Sequence, residues 1–125
     1  FFTPGSEGAQ IHPKAAALAN EPVVLKHKVN SFLNTELKAL LDENKVTEVT
    51  IIGSMSHMCV DAVTRAAADF GYSATVIHDA CATRALEFNG VTVPAAHVHA
   101  AFMAALAFAY AQVIATEDYL LDKPR

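Results

Sequence analysis

The sequence has few charged residues and few cysteines. Charged side chains make up 18% of its 125 residues and hydrophobic ones 53%, a composition too apolar for a disordered chain. There is no run of basic residues, and the formal charge of −4 argues against nucleic acid as a partner. The two cysteines, Cys59 and Cys81, form no C-x-x-C motif and are too few for the disulfide framework of a secreted domain.

No segment that would target or anchor a protein is visible in these 125 residues. The first residues have neither a basic start nor a long apolar region, so no signal peptide is visible. The most apolar stretch begins at Pro94, but it is too short for a membrane span and contains His97 and His99. We therefore expect a cytoplasmic protein with no membrane partner. Because the chain does not start with methionine, we also expect that it begins within a longer reading frame.

Apolar runs alternate with helical patterns along the chain. This alternation is typical of parallel strands joined by helical crossovers, so the sequence predicts a single α/β domain over residues 1–125. Its parts are a loop at 1–21, an α/β core at 22–116 and a polar tail at 117–125. Within the core we predict strands at 22–26, 49–52, 73–77 and 112–115, a loop at 82–93, and helices that begin after Asn34 or Thr35, at Cys59 and at Pro94.

The helix from Pro94 is apolar on almost every side. Phe102, Met103, Leu106 and Phe108 lie around it rather than on one stripe. Such a helix is buried in the domain or in a subunit interface. Because one small domain has little to cover the second face of the helix, we favour an interface and expect a homo-oligomer through helix 94–111.

Cys59 lies where a predicted strand gives way to a helix. Such turns lie at the carboxyl edge of a parallel sheet, where open α/β proteins bind their ligands, and a helix N-terminus favours the thiolate. Lys26 ends another predicted strand and therefore falls at the same edge. The alternatives are that Cys59 is a small buried apolar residue and that Lys26 is a solvated lysine at a strand end.

Residues 53–60, GSMSHMCV, resemble the G-x-x-T-x-x-C-V signature of the isochorismatase-like cysteine hydrolases, with Ser56 in the place of the threonine. The likeness continues at 65–67 and 71–83, and upstream in KHKVNSF at 26–32. It implies a Rossmann-like three-layer sandwich with a parallel sheet. It also implies a hydrolase that cleaves a small amide or a similar C–N bond of a small-molecule substrate. We expect no cofactor and no metal, because the metal ligands that some nicotinamidases of this superfamily carry come from a segment with no counterpart here.

The resemblance also implies a role for each matching residue. Cys59 would be the nucleophile that forms an acyl-enzyme, and Lys26 would lie beside it and favour its thiolate. The Met55–Ser56 peptide would be cis, and the backbone N–H groups of Ser56 and Cys59 would form an oxyanion hole. Phe32, in the upstream stretch, would contribute to substrate binding.

One member of the implied catalytic set has no counterpart in the sequence. The family's aspartate ends its first strand and is followed by D-x-Q, but residues 1–9 resemble a loop well downstream of that point. We therefore expect a domain that is incomplete at its N-terminus and lacks the family's first two strands. Asp79, at the end of a predicted strand, is the best substitute, although the family's pattern gives this position a structural role. Asp61 we expect to help cap its helix.

The histidines and the second cysteine fit simpler roles. His57 is two residues from Cys59 on the same turn, an awkward geometry for a Cys–His dyad. His97 and His99 are i, i+2 on a helix and point apart, so they form no metal pair. Cys81 is a candidate resolving thiol for Cys59, but we favour a packed core residue.

Two other functions stay open at this point. Without its aspartate the chain would be a degenerate or partial member of the family that acts only as an interaction module. Isochorismate vinyl-ether hydrolysis is the other alternative. It is disfavoured because that reaction does not need an acyl-enzyme, whereas the cysteine is present here.

Overall fold

The structure is a computed structural model, and it describes residues 3–121. Its helices are α1 (Leu37–Glu43), α2 (Asp61–Asp69), α3 (Ala95–Ala109) and α4 (Thr116–Leu121). Its strands are β1 (Glu48–Ser54), β2 (Ser73–Ala82), β3 (Leu86–Phe88), β4 (Val91–Val93) and β5 (Gln112–Ile114). Short 3-10 turns lie at Glu7–Ala9 and Pro13–Ala15, and a single π-helical turn, Ser56–Val60, leads directly into α2.

The central sheet is parallel, with strand order β1-β2-β5. This confirms the predicted α/β fold, since helices connect consecutive strands of the sheet. The pairing of β1 with β2 is interrupted near the end of β1: Ile51 lies opposite Val76, but Gly53 lies opposite Cys81. Gly53 has φ +131°, a conformation that side chains rarely adopt. The irregularity falls directly before the turn that carries Cys59.

The core lies between the sheet and helices α2 and α3. Val60, Val76, Met103 and Leu106 form its central cluster. Only one side of α3 enters this core, because Phe108 on the same helix is 92% exposed. The predicted interface on α3 therefore stays a prediction. Among the described residues no helix combines the length and apolarity that a membrane crossing requires.

Nearby residues account for the start of α1, which precedes β1, and for the end of α2, which follows it. Thr35 Oγ1 accepts a hydrogen bond from the N–H of Leu37, but the N-cap of α1 is Glu36, one residue after the predicted Thr35, and its side chain makes no cap bond. After α2, Gly71 has φ +91° and its N–H donates to the carbonyl of Ala68, which is the predicted C-terminal stop.

Three predictions about elements are wrong. The segment 22–26 has no regular secondary structure and joins no sheet in the described part of the chain, because a short apolar run becomes a strand only beside a partner. Most of the predicted tail at 117–125 belongs to α4, while residues 122–125 lie outside the described residues. The predicted loop at 82–93 contains the hairpin β3–β4, which turns at Asn89–Gly90.

Candidate active site

Lys26 and Cys59 meet, as the sequence predicts. Lys26 Nζ lies 3.2 Å from Cys59 Sγ, although 33 positions separate the two residues. The ammonium also donates to the backbone carbonyls of Lys28, at 2.9 Å, and Val29, at 3.5 Å. These bonds to its own loop hold the cation against the sulfur. Both side chains are half-buried, so the pair is sheltered but reachable from solvent.

The turn that carries Cys59 starts earlier than predicted. Helical structure begins at Ser56 rather than at Cys59, because the Met55 carbonyl accepts hydrogen bonds from the N–H groups of Met58, at 2.9 Å, and Val60, at 3.3 Å. The second of these bonds spans five residues, which makes this a π-helical turn. The start at Cys59 is predicted from the spacing of apolar residues. That spacing indicates which face of the helix is buried, but it does not indicate where the first helical hydrogen bond forms.

The cis peptide lies one residue before its predicted position. The structure has a cis bond between Ser54 and Met55, and the prediction for Met55–Ser56 is wrong. The prediction took the cis bond from the family resemblance, as the peptide that enters Ser56, whereas in the structure it is the peptide that leaves β1, which runs through Ser54. The cis bond therefore follows the last residue of the strand directly, and Ser56 already belongs to the helical turn.

Ser56 is fully buried, and its side chain is bonded to α3. Its exposed fraction is 0%, and its Oγ shares a hydrogen bond with Nδ1 of His99 at 2.7 Å. His99 itself is half-buried and borders an open, mostly apolar depression between β2 and α3. His97, two positions earlier on α3, is exposed, so the two histidines do point apart.

His57 makes contacts that leave it outside a dyad with Cys59. Its Nδ1 shares a 2.5 Å hydrogen bond with Oγ1 of Thr83, and its ring packs edge-on against Phe102 at 6.1 Å. In the described part of the chain, no group of three or more histidine, cysteine or acidic side chains is placed to hold a metal ion.

Both candidate acids have other partners. Asp79 Oδ1 accepts hydrogen bonds from the N–H and from Oγ1 of Thr116, each at 2.8 Å, and these bonds hold the pKa of Asp79 below its ordinary value. Asp61 accepts from Nε of Arg65 through both carboxylate oxygens, at 2.9 and 3.0 Å. Asp61 lies in the first turn of α2, but it forms an ion pair there instead of the predicted cap.

Cys81 packs against the core cluster that contains Val76. Burial raises the pKa of its thiol, opposed by a hydrogen bond from the Gly53 backbone and reinforced by the charge of Asp79. A raised pKa means less thiolate at neutral pH. These contacts agree with a packed core residue.

Phe32 lies with other aromatic side chains. Its ring centroid is 5.1 Å from that of Phe70 and 6.1 Å from that of Tyr72. Phe70 caps the C-terminal end of α2, and eleven residues of helix correspond to about 16 Å. The ring contacts of Phe32 are therefore at the other end of α2 from Cys59, and the predicted role in substrate binding gains no support from them.

Comparison with known proteins places this geometry in a family. The family model described as "Isochorismatase domain" matches residues 1–118. The chain belongs to the isochorismatase family. The isochorismatase family protein YddQ of Bacillus subtilis is 49% identical over 120 residues, which are 96% of this chain and 67% of that protein. Streptothricin hydrolase of Streptomyces noursei is 39% identical over 80 residues, 64% of this chain and 29% of that enzyme.

A solved isochorismatase-family structure shares the fold closely. The crystal structure of an isochorismatase hydrolase from Oleispira antarctica is 60% identical and superposes with a TM-score of 0.93. The match covers 97% of this chain and 64% of that protein. This chain therefore spans about two thirds of the length of its Bacillus and Oleispira relatives.

The sequence interpretation missed two residues at this isochorismatase-family site. His99 and Thr83 bond the side chains of Ser56 and His57 across 43 and 26 positions of sequence. Neither belongs to the quoted motif around Cys59. The signal that points to His99 is that it is a histidine on an otherwise apolar helix, since a ring nitrogen that becomes buried there requires a polar partner.

Proposed function

We propose that this isochorismatase-family protein is a cysteine hydrolase that cleaves a small amide or a similar C–N bond through Cys59. The contact of 3.2 Å between Lys26 Nζ and Cys59 Sγ carries the proposal. A cation at this distance stabilises the thiolate, which is the nucleophilic form of cysteine. The relative named streptothricin hydrolase supports hydrolytic chemistry.

In the proposed reaction the Cys59 sulfur attacks the carbonyl carbon of the substrate. A C–S bond forms, and the carbonyl electron pair moves to the oxygen. When this pair returns, the C–N bond breaks, and the amine leaves with one proton, which balances the proton that the Cys59 thiol gave up on becoming the nucleophile. An acyl group remains on Cys59. Water then attacks the thioester and releases the carboxylic acid and the free cysteine.

The negative charge on the carbonyl oxygen requires hydrogen-bond donors. In this proposal the backbone N–H of Cys59 supplies one of them, because Cys59 lies in the first turn of a helical run, where N–H groups have no partner from the helix itself. Ser56, the other predicted donor, is fully buried, so its N–H is not open to a substrate. Lys26 keeps the positive charge beside the sulfur.

The water step also requires a base. Asp79 is occupied by Thr116 and Asp61 by Arg65, and Lys26 held as an ammonium is an acid. We assign the step to the aspartate that the family resemblance implies, for which residues 1–125 contain no matching motif. The proposal therefore separates acylation, which the described residues support, from deacylation.

The test is to trap the acyl-enzyme. The protein is incubated with p-nitrophenyl acetate, and its intact mass is measured and mapped to a peptide. We expect one acetyl group on Cys59, absent from Cys59→Ala and retained by the matched variant Cys81→Ala. Release of ammonia from a panel of small amides, including nicotinamide, then defines the substrate class. Acetylation that survives in Cys59→Ala, or none in the unmodified sequence, would contradict the proposal and favour the interaction module.

A further inference from the structure

Lys26 reaches Cys59 from a segment that no strand supports. Residues 22–26 join no sheet in the described part of the chain, so sheet pairing does not set the 3.2 Å contact between Lys26 Nζ and Cys59 Sγ. The bonds of the ammonium to the carbonyls of Lys28 and Val29 hold it relative to its own loop. The loop in turn needs an attachment to the rest of the domain.

A tight turn joins this loop to the side chain of Phe32. Asn30 follows Val29 directly, and its carbonyl accepts a hydrogen bond from the N–H of Leu33 at 3.1 Å. Its side-chain Oδ1 accepts another from the N–H of Phe32 at 3.0 Å. An asparagine that bonds the backbone two residues on fixes the local chain direction. The position of the Phe32 ring is therefore coupled to that of the Val29 carbonyl, which binds the ammonium.

The ring of Phe32 docks at the C-terminal end of α2. It meets Phe70 edge-on, with centroids 5.1 Å apart, and lies nearly parallel to Tyr72 at 6.1 Å. Such aromatic pairs attract beyond the area that they bury. Tyr72 is itself fixed, because it is only 8% exposed and its hydroxyl donates to Asp42. The loop is thus attached at two places along α2, by Phe32 at its end and by Lys26 at the turn that leads into it.

We propose that Phe32 is a positioning residue that places the Lys26 ammonium beside the Cys59 sulfur. It acts through the backbone of residues 26–32 and not by contact with the sulfur. This inference rests on the proposed function, in which Lys26 promotes the reaction of Cys59. It gives Phe32 a role different from the predicted one in substrate binding: loss of the ring slows Cys59 only while Lys26 is present.

Variants of the full 125-residue chain test this role. Phe32→Ala removes the ring, and Phe70→Ala removes one of its two partners. Phe32→Tyr keeps a ring of the same shape and is the conservative variant. Phe88→Ala, whose ring is 76% exposed on the hairpin, is the matched control. Phe32→Ala is also combined with Lys26→Met in a double-mutant cycle, which isolates the coupling between the two residues.

The rate at which iodoacetamide alkylates Cys59 at pH 7 is measured for each variant by peptide mapping. We expect Phe32→Ala to lose most of the rate that Lys26→Met loses, and Phe70→Ala to lose part of it. Phe32→Tyr and Phe88→Ala should stay within about twofold of the unmodified chain. Added to Lys26→Met, Phe32→Ala should change the rate by less than about twofold, because the loop then has no ammonium to place.

The other outcomes separate this inference from the proposed function. If Lys26→Met slows alkylation but Phe32→Ala does not, or speeds it, the role of Phe32 is wrong and the proposed function stands. An equal loss from Phe32→Ala with and without Lys26 would show that the ring serves only the fold, and the inference is again wrong. The same follows if Phe32→Tyr is as slow as Phe32→Ala.

If Lys26→Met leaves the alkylation rate unchanged, the contact that carries the proposed function has no chemical effect, and both proposals fail. Circular dichroism shows whether each variant folds. Should Phe32→Ala not fold, Phe70→Ala, which truncates a half-exposed ring, takes its place in the cycle with Lys26→Met.

Discussion

Asp79 on β2 caps the start of helix α4: its Oδ1 accepts hydrogen bonds from both the N–H and the hydroxyl of Thr116, each at 2.8 Å. Thr116 is the first residue of α4, so the carboxylate satisfies a backbone donor that the helix itself leaves unpaired. The negative charge also lies near the positive end of the helix. These contacts are those expected of a structural carboxylate, as the family's pattern implies, and they leave Asp79 poorly placed to act as a general base.

The first prediction concerns stability against acid. Asp79→Ala should lower the melting temperature by a few degrees, because it removes both bonds to Thr116. The pKa of Asp79 in the folded chain lies below its ordinary value of 3.8. Its contribution is therefore complete above that value and is lost as the pH falls through the folded pKa. Thermal unfolding monitored by circular dichroism between pH 7 and pH 3 measures this.

Glu87→Ala, at an exposed position on the hairpin, is the control for Asp79→Ala. Acetylation of Cys59 should be unchanged in both variants. If Asp79→Ala abolished acetylation without altering the melting temperature, the structural assignment of Asp79 would be wrong.

The second prediction concerns the cation beside Cys59. Lys26→Met should slow alkylation of Cys59 by iodoacetamide at pH 7, since it removes the ammonium that lies 3.2 Å from the attacking sulfur. Lys28→Met should have no effect, because Lys28 contributes its backbone carbonyl and its own side chain is exposed. Peptide mapping against pH provides the rates. Cys81, whose pKa is raised by burial, should react more slowly than Cys59 in the unmodified chain; the reverse order would contradict the proposed site.

The third prediction concerns association through α3. We propose a homo-oligomer at the outer face of this helix, where Ala101, Ala105 and Phe108 are exposed and spaced as neighbours on one side. Ala105→Glu should shift the chain to a monomer in light scattering at micromolar concentration. Ala39→Glu, at an exposed position of α1, introduces the same charge elsewhere. A strict monomer before any substitution would rule out this interface.

The fourth prediction concerns turnover. The 125-residue chain should release about one equivalent of nitrophenolate from p-nitrophenyl acetate in a burst and then nearly stop, because acylation needs only Cys59 whereas deacylation needs a base. Stopped-flow absorbance separates the two phases. Sustained turnover on small amides would show that the base lies within these residues, and Asp79 would be the first position to substitute.

Much of the fold follows from local patterns. The β-branched run 49–52 and the stop at Gly71 each act within a few residues, and both predictions are confirmed. The hairpin was also within reach, since Asn89–Gly90 between two alternating segments is a strong hairpin signal. By contrast, α4 depends on Asp79, a residue 37 positions away, and no local pattern reports such a cap.

The candidate site divides in the same way. Lys26 and Cys59 could be brought together from the sequence because each ends or follows a predicted strand, and parallel strands share a carboxyl edge. Lys26 lies beside Cys59 even though its segment forms no strand, because two backbone contacts and one sulfur contact hold its ammonium instead. The bond between Ser56 and His99 depends on how α3 packs over the turn, which a single sequence does not specify.

The ammonium of Lys26 hydrogen-bonds at the same time to two carbonyls of its own loop, those of Lys28 and Val29, and to the sulfur of Cys59. The backbone conformation of this loop therefore depends on whether Cys59 is chemically modified. Once Cys59 is alkylated or acylated, the substituent on the sulfur displaces the Lys26 ammonium from its 3.2 Å contact, and the loop loses one of its three attachments. Trypsin should then cut after Lys28 faster than in the unmodified chain, so a protease can reveal whether the sulfur is occupied.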